Sequence, residues 1–387
     1  MGPAGARAAV HAPPAPNRIA LLVGAPGVPV QGPSGASAHV RGLAAALGAR
    51  ADTRLYAVQQ ADHRGNFGPP TPARCVGLSP WPGPLLRWRR YREVFAARSV
   101  ARAALEDALH PTRPWRPRLV VERHSLYSDA GLQLSDRLGV PWVLEVNAPA
   151  VIERGAYEEL RDPAEARRWE QRVLRAAPLV VAPSRALCRW LTEDIGCRAV
   201  RWLPNGTDLP AGDRARGRAA LGVEDSVPLV GFVGSMRPWH GVERLPALAA
   251  AVGGRAVAAG AGALPPGVQA AGYLWGQALA DFIAALDLAV APTLPGTHEG
   301  FCALKLLDYR SQGVPIVASD VGDAALLVDG AGGVAPPADL GGLLALAKRW
   351  VGAKLPPARR GWAQVADDLL RLAAGGVAGP LFPPEGA

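Results

Sequence analysis

The chain has 387 residues, 49% of them hydrophobic, with 45 glycines, 38 prolines and a formal net charge of +9. That length and apolar content suffice for two α/β domains of ordinary size and exclude a small disulfide-stapled scaffold. The basic excess suits anionic partners such as nucleotides or phospholipid headgroups. No helix-turn-helix, zinc finger or aromatic sheet motif accompanies the charge, so no nucleic-acid partner is expected. Cys75, Cys188, Cys197 and Cys302 form no C-x-x-C pair and carry no zinc spacing, which points to a reducing compartment and away from a structural metal. No apolar run reaches ~18 residues and the N-terminus lacks an apolar core. Neither a membrane span nor a signal peptide is therefore expected, and the chain is assigned to the cytoplasm.

In chain order, residues 1–16 read as a tail rich in Ala and Pro. RIALLV (18–23) is the first strand, followed by the glycine-rich loop GAPGVPVQGPSG and the helix ASAHVRGLAAAL. A strand feeding a helix through such a loop places backbone N–H groups where a phosphate can sit. The spacing is neither G-x-G-x-x-G nor G-x-x-x-x-G-K-[ST], which disfavours a dinucleotide-binding oxidoreductase and a P-loop NTPase. Residues 85–105, LLRWRRYREVFAARSVARAAL, concentrate basic charge. They read first as a solvated helix face. The sharper alternative is an amphipathic surface touching anionic lipid, with Trp88, Tyr91 and Phe95 at the interface, so that a cytoplasmic chain would sit peripherally on the inner membrane face.

Strands follow at 118–122, 141–147, 178–183 and 200–204, separated by helical patterns, which signals a parallel sheet covered on both faces. PNGTDLPAGDRARGR then reads as a linker beginning near residue 205, where Asn205 and Asp208 are expected to shape a turn. The alternation restarts with strands at 228–235, 255–260, 287–292 and 314–319. The sequence thus divides into a tail (1–16), a first domain (17–204), a second domain (205–375) and a C-terminal tail (376–387). The last helical pattern, WAQVADDLLRLAA, either closes the second domain or reaches back to the first. Two doubly wound, Rossmann-like α/β domains facing across a cleft would gather their post-strand loops there.

The stretch 298–320, HEGFCALKLLDYRSQGVPIVASD, carries the most chemistry. Apolar spacing predicts a helix over about 302–312, ended by Gly313 and Pro315. Positions nine apart lie ~180° apart on a helix, so Glu299 belongs to the preceding loop and Asp308 to the helix body. Gly300 permits close backbone approach, and the N–H groups of the first turn favour an anion.

The opening strand and loop, LPNGTD at the hinge, VGFVGSMRPWHGVERL, and IAALDLAVAPT leading into HEGFCALKLLDYRSQGVPIVASDVGD together resemble the retaining GT-B glycosyltransferases of family 4. The resemblance covers nearly the whole chain. It implies that the second domain binds a nucleotide-diphosphate sugar: Glu299 would contact the sugar, and Asp308 would grip the ribose hydroxyls. Gly300, Phe301 and Cys302 would turn backbone N–H groups toward the sugar or its phosphate, and Ser34 and Gly35 would serve the donor from the first domain. Tyr273 and Leu274 would lie near the base. Three departures stand out. Eight residues rather than seven separate the two acids, and the second acid is Asp308 rather than glutamate. Ser235 and His240 occupy the positions of an arginine and a lysine that commonly bind the diphosphate, so Arg237 would supply charge and His240 a donor that is cationic only at lower pH. Asn147 stands where many members place a histidine on the acceptor side, with His124 as a neighbouring candidate.

The implied reaction is transfer to an acceptor hydroxyl with retention. No D-x-D occurs in the chain, so metal-independent chemistry with no cofactor beyond the donor co-substrate is expected. The base, the sugar and the acceptor (glycan, lipid-linked or small molecule) stay open. The alternative is a catalytically weakened nucleotide-sugar-binding or scaffolding protein with the same fold.

Overall fold

The computed structural model describes residues 16–61, 69–76, 89–157, 160, 162–296 and 304–382. The first sheet has seven parallel strands: β1 (Arg18–Val23), β2 (Asp52–Ala57), β3 (Arg74–Cys75), β4 (Leu119–Arg123), β5 (Trp142–Glu145), β6 (Leu179–Ala182) and β7 (Val200–Trp202). Its helices are α1 (Gly35–Gly48), α2 (Arg89–Ala108), α3 (Ala130–Leu138), α4 (Ala150–Tyr157), α5 (Pro163–Ala176) and α6 (Arg185–Glu193). The second sheet has six: β8 (Leu229–Val233), β9 (Arg255–Ala259), β10 (Val268–Gly272), β11 (Leu288–Ala291), β12 (Ile316–Ser319) and β13 (Gly332–Ala335). With it come α7 (Arg214–Leu221), α8 (Leu245–Ala250), α9 (Gly276–Ala284), α10 (Leu304–Ser311), α11 (Ala324–Val328), α12 (Leu340–Trp350) and α13 (Trp362–Ala373).

The strand orders are β3-β2-β1-β4-β5-β6-β7 and β10-β9-β8-β11-β12-β13. Each sheet reverses its direction of winding once, between β1 and β4 in the first and between β8 and β11 in the second. The loops that leave these strands open a crevice, which is where doubly wound sheets bind ligands. The strands are apolar throughout because both faces are covered. Ile19, Leu21 and Val23 enter one core while Ala20 and Leu22 enter another, and Leu229 and Phe232 divide likewise in the second sheet.

The final helix packs on the first domain. Trp362, Val365, Ala366, Leu369 and Leu372 of α13 join the core under α1. Gly42 makes room for this, since a Cβ there would lie 2.3 Å from the Trp362 indole nitrogen. Of the expected tails, residues 1–15 and 383–387 lie outside the described residues. The described part of the C-terminal one is not loose. The Pro380 carbonyl accepts from Arg360 at 3.1 Å, and Leu381 and Phe382 pack on the second-domain core. So short an apolar pair has no period and leaves no mark in the alternation.

Residues 85–88 of the basic stretch lie outside the described residues. In α2, Ala96, Val100, Ala101 and Ala104 pack into the first core, leaving Arg98 and Arg102 exposed. The apolar face that a lipid surface would need is therefore occupied over this part of the helix. No described helix is long and apolar enough to cross a membrane.

Candidate active site

The first-domain wall of the crevice is the loop between β1 and α1. Gly32 is required there, because a Cβ would come within 2.6 Å of both Pro29 and the Ser37 hydroxyl. Ser34 caps α1 by accepting from the Ser37 N–H at 3.1 Å, which satisfies one of the orphan donors of the first turn. The buried Arg41 guanidinium braces the loop from behind, donating to the carbonyls of Val30 (2.8 Å) and Gly32 (3.0 Å). Burial lowers its pKa, opposed by an electrostatic interaction with Tyr273 of the other domain. Ser34 and Gly35 are exposed. Gly35 faces the start of α10, where a Cβ would sit 3.4 Å from the Leu304 side chain. The beginnings of two helices from different domains thus meet across the crevice, where their N–H groups favour an anion.

The second-domain wall starts at the end of β8. Gly234 (φ +143°) and Gly260 (φ +144°) adopt conformations that L side chains rarely reach, and a Cβ on Gly260 would be 1.8 Å from the Gly234 carbonyl oxygen. Only glycine allows the two strand ends this approach. The exposed Ser235 turns its carbonyl inward to accept from the Arg237 N–H (2.9 Å) and from His240 Nδ1 (2.6 Å). Burial, together with Lys305 and Arg237, pushes the His240 pKa down to about 4 despite that bond. His240 is therefore a neutral imidazole at neutral pH, cationic only in acid, so of His240 and Arg237 it is Arg237 that carries charge. Arg237 is exposed, its guanidinium carbon 5.7 Å from the Trp239 ring centroid.

Helix α10 lies between these walls and is fixed by Tyr309, whose buried hydroxyl accepts from the Val233 N–H (2.8 Å) and donates to the Val290 carbonyl (3.3 Å). This ties the helix to the two strands at which the sheet reverses. One residue earlier, Asp308 Oδ1 accepts from the Thr207 hydroxyl at 2.6 Å. Burial pushes its carboxyl up to about 6, and the Thr207 bond acts the other way. Although some of the side chain reaches solvent, packed atoms surround the carboxyl closely enough to penalise its charge. Lys305, one turn earlier, is buried, with Nζ 4.0 Å from the Phe232 ring centroid, and burial pushes its pKa down to about 7.

Glu299, Gly300, Phe301 and Cys302 lie outside the described residues. Ser235, Arg237, His240, Ser34 and Gly35 sit on the two walls, and Asp308 on the helix between them. Tyr273 and Leu274 follow β10 and are partly buried. On the acceptor side, Asn147 is half-buried beyond β5, next to a buried cluster in which His39 and Arg123 approach Glu145. Burial alone would raise the Glu145 carboxyl, yet the interactions with His39, Arg123 and the Asn147 side chain bring it below its ordinary range. The His124 side chain is 3% exposed, with Nε2 3.4 Å from Glu170. Asp208 does more than shape a turn, since it accepts from the Trp362 N–H at 3.0 Å and starts α13. Thr207, Lys305 and Tyr309 escaped the sequence reading. A single threonine in a turn and two polar residues in an apolar helix carry no spacing signal of their own.

The family model described as Glycosyltransferase Family 4 matches residues 33–210, and that described as Glycosyl transferases group 1 matches residues 227–350. A GDP-mannose-dependent alpha-mannosyltransferase of Mycolicibacterium smegmatis is 30% identical over 268 residues, covering 64% of this chain and 70% of that protein. A D-inositol 3-phosphate glycosyltransferase of Segniliparus rotundus is 28% identical over 237 residues, 54% of this chain and 52% of that protein. The chain spans about half the length of the latter, and likewise of a GDP-mannose-dependent alpha-mannosyltransferase of Mycobacterium tuberculosis. Among solved structures, a sucrose-phosphate synthase from Thermosynechococcus elongatus superposes with TM-score 0.66 at 21% identity, over 92% of this chain and 94% of that one. Anabaena HepE in complex with UDP-glucose gives 0.60 at 15% identity, over 92% and 99%. Together with the two reversing parallel sheets and the crevice between them, these matches show that the chain belongs to glycosyltransferase family 4 and has the GT-B fold.

Proposed function

We propose that the protein transfers a sugar from a nucleoside-diphosphate sugar to an acceptor hydroxyl, with retention of anomeric configuration and without a metal ion. Asp308 accepts hydrogen bonds from the ribose diol; its carboxyl, near pH 6 when the site is empty, becomes fully ionised once two hydroxyls donate to it. The diphosphate lies between the helix starts at Gly35 and Leu304, within reach of the N–H groups there and of Arg237. In the transfer step the C1–O bond to the β-phosphate breaks and its electron pair leaves with the phosphate. The acceptor oxygen bonds to C1 on the same face, and its proton passes to a departing phosphate oxygen. Donors and cations aimed at the developing negative charge lower the barrier. Glu299, which the resemblance assigns to the sugar, orients the donor rather than attacking it. The metal-free reading rests on the chain's lack of a D-x-D motif that would hold a divalent ion against the diphosphate.

The observation that carries this reading is Asp308: a carboxylate held at an energetic cost in the crevice, one residue from the tyrosine that fixes its helix. Its test is a thermal-shift series with UDP, GDP, ADP and dTDP, followed by release of the nucleoside diphosphate from the matching sugars. Stabilisation of the wild type by one of these, lost in Asp308→Ala, is expected. Equal stabilisation of both proteins, or of neither, overturns the assignment. The anomeric outcome is read from the coupling constant of the product, where inversion would refute retention.

A further inference from the structure

A diphosphate that departs with two to three negative charges needs a fixed cation close by, and the loop after β8 offers little. Its histidine is neutral, and its arginine is exposed at the rim. The buried cation at this place comes instead from α10. Lys305 is 9% exposed, and a Cβ on Gly234 would lie 3.1 Å from its Nζ. The ammonium therefore rests against the Gly234–Ser235 bend, with the Phe232 ring beneath it. Among the described residues no carboxylate or hydrogen-bond acceptor pairs with it. An ammonium has three donors, and none of the described hydrogen bonds takes one from Lys305, which leaves them available to a ligand.

Composition sharpens the point. Of the 42 basic residues only three are lysines, at 305, 348 and 354, and the other two are exposed. Lys305 is thus the one buried lysine in a chain whose cations are nearly all arginines.

We propose that Lys305 is the cation that binds the leaving diphosphate, donating to its non-bridging oxygens from the α10 side and taking over a role that Ser235 and His240 cannot fill. The inference rests on the nucleotide-sugar reading above. The groups facing Lys305 are the neutral His240 and, beyond it, the exposed Arg237, so the incoming phosphate is its first anionic partner among the described groups. Phosphate binding stabilises the protonated amine and sets the charge when the donor arrives.

The test compares the nucleoside with its diphosphate, using whichever base stabilises the wild type. In Lys305→Met, of similar length, the free protein should melt at the same temperature or higher. Affinity for the nucleoside should be unchanged, while affinity for the diphosphate falls 10- to 100-fold. Reductive methylation of the wild type with mass-spectrometric readout checks the same point without a variant. Lys305 should be protected by the diphosphate and not by the nucleoside, with Lys348 and Lys354 as unprotected controls. Diphosphate affinity unchanged in Lys305→Met, or Lys305 methylated equally with and without diphosphate, overturns the assignment while leaving the nucleotide-sugar reading in place. A wild type that binds no nucleoside diphosphate overturns both.

Discussion

The Thr207 hydroxyl donates to Asp308 across 101 residues of chain, joining the connection between the two sheets to the helix that lines the crevice. Thr207 is itself seated by its own N–H, which donates to the Arg360 carbonyl at 2.8 Å. Gly206 allows that approach, since a Cβ there would be 2.9 Å from the Gly361 backbone. The carboxylate proposed to hold ribose is thus positioned by the hinge and by the segment returning to the first domain.

Replacing Thr207 by the isosteric valine removes a charge-assisted hydrogen bond worth about 1.5–3 kcal/mol. With its one opposing contact gone, Asp308 titrates above its present value near 6. At pH 7 the Thr207→Val protein should bind the nucleoside diphosphate roughly tenfold more weakly, and raising the pH to 8.5 should recover part of the loss as the acid ionises. Thr207→Ser should retain wild-type affinity. Calorimetric titration at the two pH values decides the matter; a valine variant with wild-type affinity at both would show that the bond does not tune Asp308.

Asp308 should also destabilise the empty protein at neutral pH. Its folded-state pKa, about 6, lies above the ordinary aspartate value, so between about pH 4 and 6 the folded chain binds more protons than the unfolded one. The contribution of this group is fully present below pH 4 and is lost as the pH rises through 6. Asp308→Asn, which keeps an acceptor for Thr207, should therefore be more stable than wild type by roughly 1–2 kcal/mol above pH 6, after allowing for partial exposure. The advantage should disappear near pH 4. Denaturant melts at pH 4, 5, 6 and 7.5 measure it, and a difference independent of pH would contradict the assigned titration.

The periodic parts of this architecture were readable from the residues. Strands such as RIALLV and VPIVAS are uninterrupted apolar runs because both faces are buried, and the glycine loops stand out as breaks in that pattern. β2, β3, β10 and β13 leave weaker signals: DTRLYA mixes charge into its exposed half, RC and VQAAG are short or mostly exposed, and GGVA is half glycine, whose lack of a side chain lets the Ile316 backbone come close. At the site, Asp308 was legible because it follows a glycine-bearing loop and precedes a strand. Thr207 and Lys305 were not, since Thr207 matters through a partner 101 residues away and Lys305 through its burial against Phe232 and Gly234 at the end of β8, and neither leaves a local trace. The neutrality of His240 likewise follows from its burial and its cationic neighbours, which no spacing records.

Asp323 of the second domain accepts from the Arg185 N–H of α6 through both oxygens (3.1 and 3.0 Å) and from Trp202 Nε1 at 3.2 Å. A carboxylate at a helix start is favourable for two reasons, since it fills an orphan donor and opposes the helix dipole. Here it also latches one domain to the other. Asp323→Ala should cost about 1–3 kcal/mol and let the domains part, visible as a larger radius of gyration in X-ray scattering, with a raised KM for the donor. An unchanged scattering profile would mean that the domains are held by other contacts.

The deepest anchor of the returning segment is Arg360, whose side chain and that of Asp368 are both 0% exposed, 2.5 Å apart. Arg360 Nε also donates to the Pro204 carbonyl at 3.2 Å and Nη1 to that of Pro380. One guanidinium therefore ties together the start of the hinge, α13 and the last described residues. Removing one partner of a buried pair strands the other charge, so Arg360→Met should cost about 3–5 kcal/mol. The double variant Arg360→Met with Asp368→Leu should recover much of that, because a pair replaced by apolar groups leaves no unmet charge. If α13 depends on this anchor, limited proteolysis of the single variant should cut between residues 353 and 361 faster than in wild type. A single variant destabilised by less than about 1 kcal/mol would mean that the residual bonds from Arg371 and the Gly379 N–H to Asp368 satisfy it alone.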